Sequence, residues 1–181
     1  RSSDNLYHYI LTKVDELNNY KYILDYGSGL LMNTYKLTKN SNIKKVFCYD
    51  PIYKNPKLQI LAKKIINKNK KLIFSMNYKN DLKKVDLFFC NLVFSHLSVK
   101  EIKELLKNIY ANKCDIIFSA NSNIDQRSEK LTKYDPKKKL YQHNYLKILK
   151  STKFTVKWIY QLDHQILTDK KIVLCFAQPS V

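Results

Sequence analysis

Gly27 and Gly29 are the only glycines in this 181-residue chain, and one residue separates them. They follow the compact apolar run Tyr22-Ile23-Leu24-Asp25-Tyr26, where a buried strand enters a tight turn. Such a turn uses glycine where a Cβ would obstruct the backbone, either because φ is positive or because a ligand approaches closely. Asp50 closes the next β-rich run, and an acid at that place in a nucleoside-binding sheet accepts hydrogen bonds from ribose hydroxyls. The competing use of Asp50 is to cap the turn at Pro51. A lone Gly-x-Gly says little, but joined to an acid at the end of strand two it points to an adenosine-containing cofactor. Position 32, where the third glycine of the dinucleotide fingerprint falls, is Met32, so helix packing against a pyrophosphate lacks its glycine.

The elements that must position these residues follow from periodicity. Leu6, Ile10, Val14 and Leu17 share one helical face behind a cap at Ser3 or Asp4. Leu30 to Thr38 is compatible with a short helix, and Lys44 to Tyr49 makes the second strand. Asn55-Pro56 starts a helix with Leu58, Leu61, Ala62 and Ile65 at helical spacing, and Lys71 to Met76 is the third strand. Val85 to Val93 is almost wholly apolar, as a central parallel strand covered on both faces is. Ser98 with Glu101 forms a capping box ahead of Ile102, Leu105, Leu106 and Ile109. Cys114 to Ala120 is a fifth strand, and residues 121 to 138 form a long polar loop before a helix built on Tyr141, Tyr145, Ile148 and Leu149. Phe154 to Gln161 and Lys171 to Ala177 then pair as a hairpin, because nine connecting residues are too few for a parallel crossover. The expected fold is α/β: a three-layer α/β/α sandwich around a mainly parallel seven-stranded sheet with one antiparallel edge strand.

Leu24-Asp25-Tyr26-Gly27-Ser28-Gly29 resembles motif I of class I S-adenosylmethionine-dependent methyltransferases, and the element order over nearly the whole chain is similar to theirs. The resemblance implies S-adenosyl-L-methionine as cofactor, with the segment Asp25, Tyr26, Gly27, Ser28 and Gly29 against its methionine portion. It implies Asp50 on the ribose and Ser75-Met76-Asn77 beside the adenine. The segment from Asp86 to Leu97 resembles motif IV, whose strand end lies beneath the sulfonium. Asn91 there serves the methionine amino group or the acceptor, or else caps the strand end. Two positions depart from the family: Leu31 stands at the third motif I glycine, and no acid occupies 75 to 77. Methyl transfer to an activated sulfonium needs alignment and removal of the acceptor's proton. His96 is the candidate general base, the alternative being that it satisfies local backbone groups. Arg127, with Lys130, Lys133 and Lys137-Lys138-Lys139, suits a phosphate or carboxylate on the substrate, unless the segment is a solvated loop.

These readings give one methyltransferase domain over 1–181: an N-terminal helix at 1–19, a cofactor-binding half at 20–120, and an acceptor-side loop, helix and hairpin at 121–181. The formal net charge is +18, with 33 Lys and Arg against 15 Asp and Glu. Arg1 and Arg127 are the only arginines, and the wealth of Lys, Asn, Ile and Tyr matches an A/T-rich genome, so part of the charge reflects codon usage. The rest leaves RNA as a second class of acceptor beside a small molecule or sugar. An Asn-Pro-Pro-aromatic segment, a Pro-Cys nucleophile and the Lys-Asp-Lys-Glu tetrad of ribose 2'-O enzymes are missing. The small-molecule acceptor is favoured because motif IV with His96 resembles the small-molecule branch and nothing supplies an RNA-binding appendage; a non-catalytic binding domain of the same fold is the third reading. No run approaches the roughly 20 apolar residues of a membrane span, and Cys48, Cys90, Cys114 and Cys175 lack metal-site or redox spacing. The composition predicts a cytoplasmic protein with reduced core cysteines, no metal and no membrane partner.

Overall fold

The computed structural model of the chain describes residues 15–31, 33–163 and 171–180. The expected first helix lies outside these residues except at its end, where Asp15–Asn19 forms a 3₁₀ turn. Seven strands share one sheet: β1 (Tyr22–Tyr26), β2 (Lys45–Tyr49), β3 (Leu72–Ser75), β4 (Leu87–Asn91), β5 (Asp115–Asn121), β8 (Phe154–Asp163) and β9 (Lys171–Pro179). Their order is β3-β2-β1-β4-β5-β9-β8. β1 pairs in parallel with β2 and β4, and β2 with β3. β9 runs antiparallel to both β5 and β8. β9, antiparallel to both of its neighbours, therefore lies one place inside the edge rather than at it, because the hairpin inserts its second strand next to β5.

Two further strands, β6 (Thr132–Asp135) and β7 (Leu140–His143), make a separate two-stranded sheet within the segment expected to be loop. β6 is polar and largely exposed, and β7 is half-buried with Leu140 its one aliphatic residue, so no apolar alternation announces them. Their turn also lacks a glycine signal, since Lys139 takes the left-handed conformation at φ 50°. Tyr141 accordingly belongs to a strand, and the helix after it begins only at Tyr145.

The described α-helices are α1 (Thr34–Leu37), α2 (Pro56–Ile66), α3 (Tyr78–Leu82), α4 (Val99–Ala111) and α5 (Tyr145–Lys150). Asn55 caps α2, its side chain accepting from the backbone amides of Lys57 and Leu58. Its buried face is Ala62 and Ile66, whereas Leu61 is largely exposed. No helix among the described residues is long and apolar enough to cross a membrane.

Contacts divide the chain into two compact units, up to Phe89 and from Cys90 onward. The first has its core on the strands, with Ile23, Leu24, Val46, Cys48, Leu87 and Phe88 fully buried. In the second, α4 buries Ile102, Leu105, Leu106 and Ile109, and β5 and β9 bury Ile116, Ile117, Phe118, Val173, Leu174 and Cys175. Removing each large side chain of this kind from water stabilises by about 1.5–3 kcal/mol. The four cysteines are buried, and none forms a disulfide.

α4 starts at a complete capping box: Ser98 accepts from Glu101 N, and the Glu101 carboxylate accepts from Ser98 N at 2.7 Å. Ser98→Ala should lower stability by about 1 kcal/mol, read in urea as a reduced midpoint with an unchanged slope.

Candidate functional site in the glycine turn

The β1–β2 ladder runs in register from Tyr22 opposite Lys45 to Tyr26 opposite Tyr49. It continues beyond the strand ends, where the Tyr49 carbonyl accepts from Gly27 N at 2.7 Å and from Ser28 N at 3.1 Å. The chain then turns through Gly27 (φ 85°) and Gly29 (φ 53°). Asp50 holds this turn from strand two: its Oδ2 accepts from Gly29 N at 2.8 Å, and its Oδ1 from Ile52 N at 2.9 Å. Asp50 thus caps the 3₁₀ turn Pro51–Lys54 and ties the glycine turn at once. A carboxylate offers about four acceptor sites, so two amide donors leave it room for hydroxyl donors.

Tyr53, from that same 3₁₀ turn, reaches back under the glycines. Its hydroxyl donates to the Gly29 carbonyl at 2.8 Å and accepts from Ser28 Oγ, also at 2.8 Å. The side chain is buried, with its ring 5.0 Å from that of Phe74. Burial pushes the phenol above its ordinary range, which keeps it a neutral donor. The sequence offers no motif for Tyr53; only its place three residues beyond Asp50 relates it to the turn.

Asp25 lies on β1, 3% exposed, and its Oδ2 accepts from Thr34 Oγ1 at 2.6 Å. Burial pushes the carboxyl up to about 7, with the charge of Asp50 adding to the rise and the Thr34 hydrogen bond opposing it. Leu31 keeps φ at 67° with its side chain buried, so the turn retains left-handed geometry at the place of the third motif I glycine. Met32 lies outside the described residues.

At the end of β3, Asn77 is the cap of α3, its Oδ1 accepting from the amides of Lys79 and Asn80 at 3.1 and 3.4 Å. Met76 is half exposed and its sulfur accepts from Gln59 Nε2 at 3.4 Å. The acid missing from 75 to 77 stands one helical turn later: Asp81 accepts from Ser75 Oγ and pairs with Lys84 at 2.9 Å. The rings of Tyr26, Tyr49 and Tyr78 meet at 5.1–5.2 Å between centroids. Asp25, Tyr26, Gly27, Ser28, Gly29 and Asp50 are therefore gathered at one turn, with Met76 and Asn77 at the end of β3 in the same unit.

Asn91, His96 and Arg127 belong to the second unit. Asn91 Oδ1 accepts from Ser119 Oγ across β4 and β5, and the next residue, Leu92, is left-handed at φ 61°. His96 ends the 3₁₀ turn Phe94–His96 with its side chain exposed. Among the described residues the buried histidine is His143, whose Nε2 donates to the Leu97 carbonyl at 2.8 Å while Nδ1 lies 3.0 Å from Thr132 Oγ1. Burial lowers its pKa and favours the neutral ring. Arg127 is exposed in a turn whose backbone is held by Asp125. Its neighbour Gln126 organises the segment instead, donating to the carbonyls of Ile124 and His143 at 2.9 and 3.1 Å and accepting from Tyr145 N at 2.7 Å.

The sheet is mainly parallel, and the glycine turn lies at the carboxyl end of its first strand, the end at which open α/β sheets bind their ligands. No family model matches the sequence, and no curated protein does. Solved structures do. A 1,6-didemethyltoxoflavin-N1-methyltransferase of Burkholderia thailandensis, with 1,6-didemethyltoxoflavin and S-adenosylhomocysteine bound, is 14% identical, with 100% of this chain and 78% of that one covered at a TM-score of 0.68. An S-adenosylmethionine-dependent methyltransferase of Mesorhizobium loti is 13% identical over 98% of both chains, TM-score 0.66. Magnesium protoporphyrin IX methyltransferase of Synechocystis, with S-adenosylmethionine bound, is 16% identical over 98% of this chain and 78% of that one, TM-score 0.62. The chain has the fold of S-adenosylmethionine-dependent methyltransferases.

Tyr53→Phe should destabilise by about 0.5–1.5 kcal/mol, since the part-buried Gly29 carbonyl loses its donor, measurable by urea titration. Asp25 is protonated more readily folded than unfolded, so its ionisation costs stability progressively as pH rises from about 4 to about 7. Asp25→Asn should make thermal stability fall less over that window than in the wild type, and run parallel to it above the window.

Proposed function

We propose that this chain is an S-adenosyl-L-methionine-dependent methyltransferase acting on a small-molecule or sugar acceptor, and that its 181 residues form one catalytic domain. Gly29 carries the reading. Its φ of 53° does not by itself demand glycine, because Leu31, Leu92, Lys113, Lys139 and Lys153 are left-handed at 50–67°. Crowding does not demand it either, since no described atom lies within 4 Å of where its Cβ would stand. Close approach of a ligand to the backbone is the remaining use for a glycine there.

The residues present fit the methyl donor. The open space over Gly29 receives the methionine portion along Tyr26, Gly27 and Ser28, Asp25 supplies negative charge for its ammonium, and Asp50 has acceptor capacity left for ribose hydroxyls. Met76 and Asn77 border the adenine, with Tyr26, Tyr49 and Tyr78 as aromatic neighbours. Bound there, the cofactor supplies a methyl group on an already activated sulfonium. The protein's part is then alignment and proton removal. Tyr53 and Asp50 fix the turn, Asn91 orients the methionine amino group or the acceptor, and exposed His96 takes the acceptor's proton. Arg127 attracts an anionic group on the acceptor. Exposed lysines are spread over α2 (Lys57, Lys63, Lys64), α4 (Lys100, Lys107), the β6–β7 hairpin and β8 (Lys157). That spread favours a small acceptor over RNA.

Calorimetry with S-adenosylhomocysteine tests the donor site. The wild type should bind. Gly29→Ala places a Cβ at φ 53°, so its melting temperature should fall somewhat while it stays folded at 25 °C, and there it should bind at least tenfold more weakly. Unchanged affinity in Gly29→Ala overturns the proposed role of Gly29, and absence of binding to the wild type overturns the reading as a whole.

A further inference from the structure

At the carboxyl end of β5 a small polar cavity of about 30 Å³ opens between Asn121 and the β6–β7 hairpin, lined among others by Asp135, Lys138, Tyr141 and Gln142. A water needs at least roughly 10–15 Å³ of such room, so the cavity holds two small polar groups of a larger ligand. Its chemistry is mixed and partly unspent. The Asn121 side-chain amide makes no hydrogen bond among the described residues, and Gln142 uses only its Oε1, on Asn123 N at 3.3 Å. Asp135 commits Oδ1 to the amides of Lys137 and Lys138, each at 3.1 Å. Gln142 Nε2, the Asn121 amide and Asp135 Oδ2 thus offer both donors and acceptors at one opening, as vicinal hydroxyls require.

Beside the opening the Tyr141 ring lies 4.8 Å from that of Tyr134, which is 48% exposed, giving an apolar platform next to the polar groups. Lys133, Lys137 and Lys139 are exposed on the hairpin and form no ion pair among the described residues, and Lys138 lines the cavity itself. Planar amides, a carboxylate, an aromatic face and surplus positive charge together match one ligand class. Strand carboxyl ends are where open α/β sheets bind their ligands.

We propose that this cavity binds an anionic sugar, a hydroxylated ring carrying a phosphate or a carboxylate. The amides and Asp135 take its hydroxyls, Tyr141 faces its carbons, and the hairpin lysines take its charge. As the acceptor's subsite it rests on the methyltransferase reading; as a binding site it does not.

The test is titration of the ¹⁵N-labelled full chain, followed through the side-chain amide signals of Asn121 and Gln142. Glucose 6-phosphate and glucuronate are the anionic probes, and glucose and inorganic phosphate are the controls. Both amides should shift with at least one anionic sugar, and more strongly than with either control; which one distinguishes a phosphate from a carboxylate. Asn121→Ala with Gln142→Ala should weaken that sugar's binding about tenfold, the loss of two neutral hydrogen bonds. Unmoved amides, or shifts produced equally by inorganic phosphate, overturn the proposal. Adding S-adenosylhomocysteine separately keeps the two readings apart. Its failure to bind removes the donor site and leaves the sugar result standing, and the converse also holds.

Discussion

One carbonyl and one carboxylate at the end of β2 set the geometry on which the candidate site depends. The Tyr49 carbonyl carries the β1–β2 ladder two amides past the strand, and Asp50 takes the third at Gly29. Because β1 and β2 are parallel and in register, these acceptors sit at the place where β1 must leave the sheet. The turn is therefore held chiefly from the neighbouring strand, with Leu31 N donating to the Ser28 carbonyl at 2.9 Å as a bond of its own. Tyr53 adds a brace from beneath, so Ser28 and Gly29 are fixed on two sides while the space over Gly29 stays open.

Asp25 balances this rigidity with stored electrostatic cost. A buried carboxyl near Asp50, with one hydroxyl donor, is a poor anion in the free chain.

Legibility in the sequence followed the strength of the local signal. The five parallel strands read as apolar runs because both of their faces are covered, and Asn55, Ser98 and Glu101 marked two helix starts through capping chemistry. The reversed strand was legible as a hairpin, but its insertion beside β5 was not, since spacing fixes pairing between two strands and says nothing of which one meets the rest of the sheet. The β6–β7 hairpin stayed hidden because its strands are mostly polar, without apolar alternation, and its turn uses Lys139 instead of glycine. Lys113 and Lys153 likewise take left-handed positions beyond α4 and α5. At the site, glycine and acid spacing exposed Gly27, Gly29 and Asp50. Tyr53, Gln126 and His143 act through long-range hydrogen bonds to backbone, which leave no pattern along the chain.

The four cysteines lie on or beside different strands, Cys48 in β2, Cys90 in β4, Cys114 just before β5 and Cys175 in β9, all buried and none in a disulfide. Burial pushes the thiols of Cys48 and Cys175 well above their ordinary range, with the charge of Asp25 adding to the rise at Cys48. Only the thiolate attacks an alkylating reagent, so these positions are chemically silent while the sheet is closed. Each becomes reactive when its own strand opens, which makes the native chain a built-in gauge of local opening.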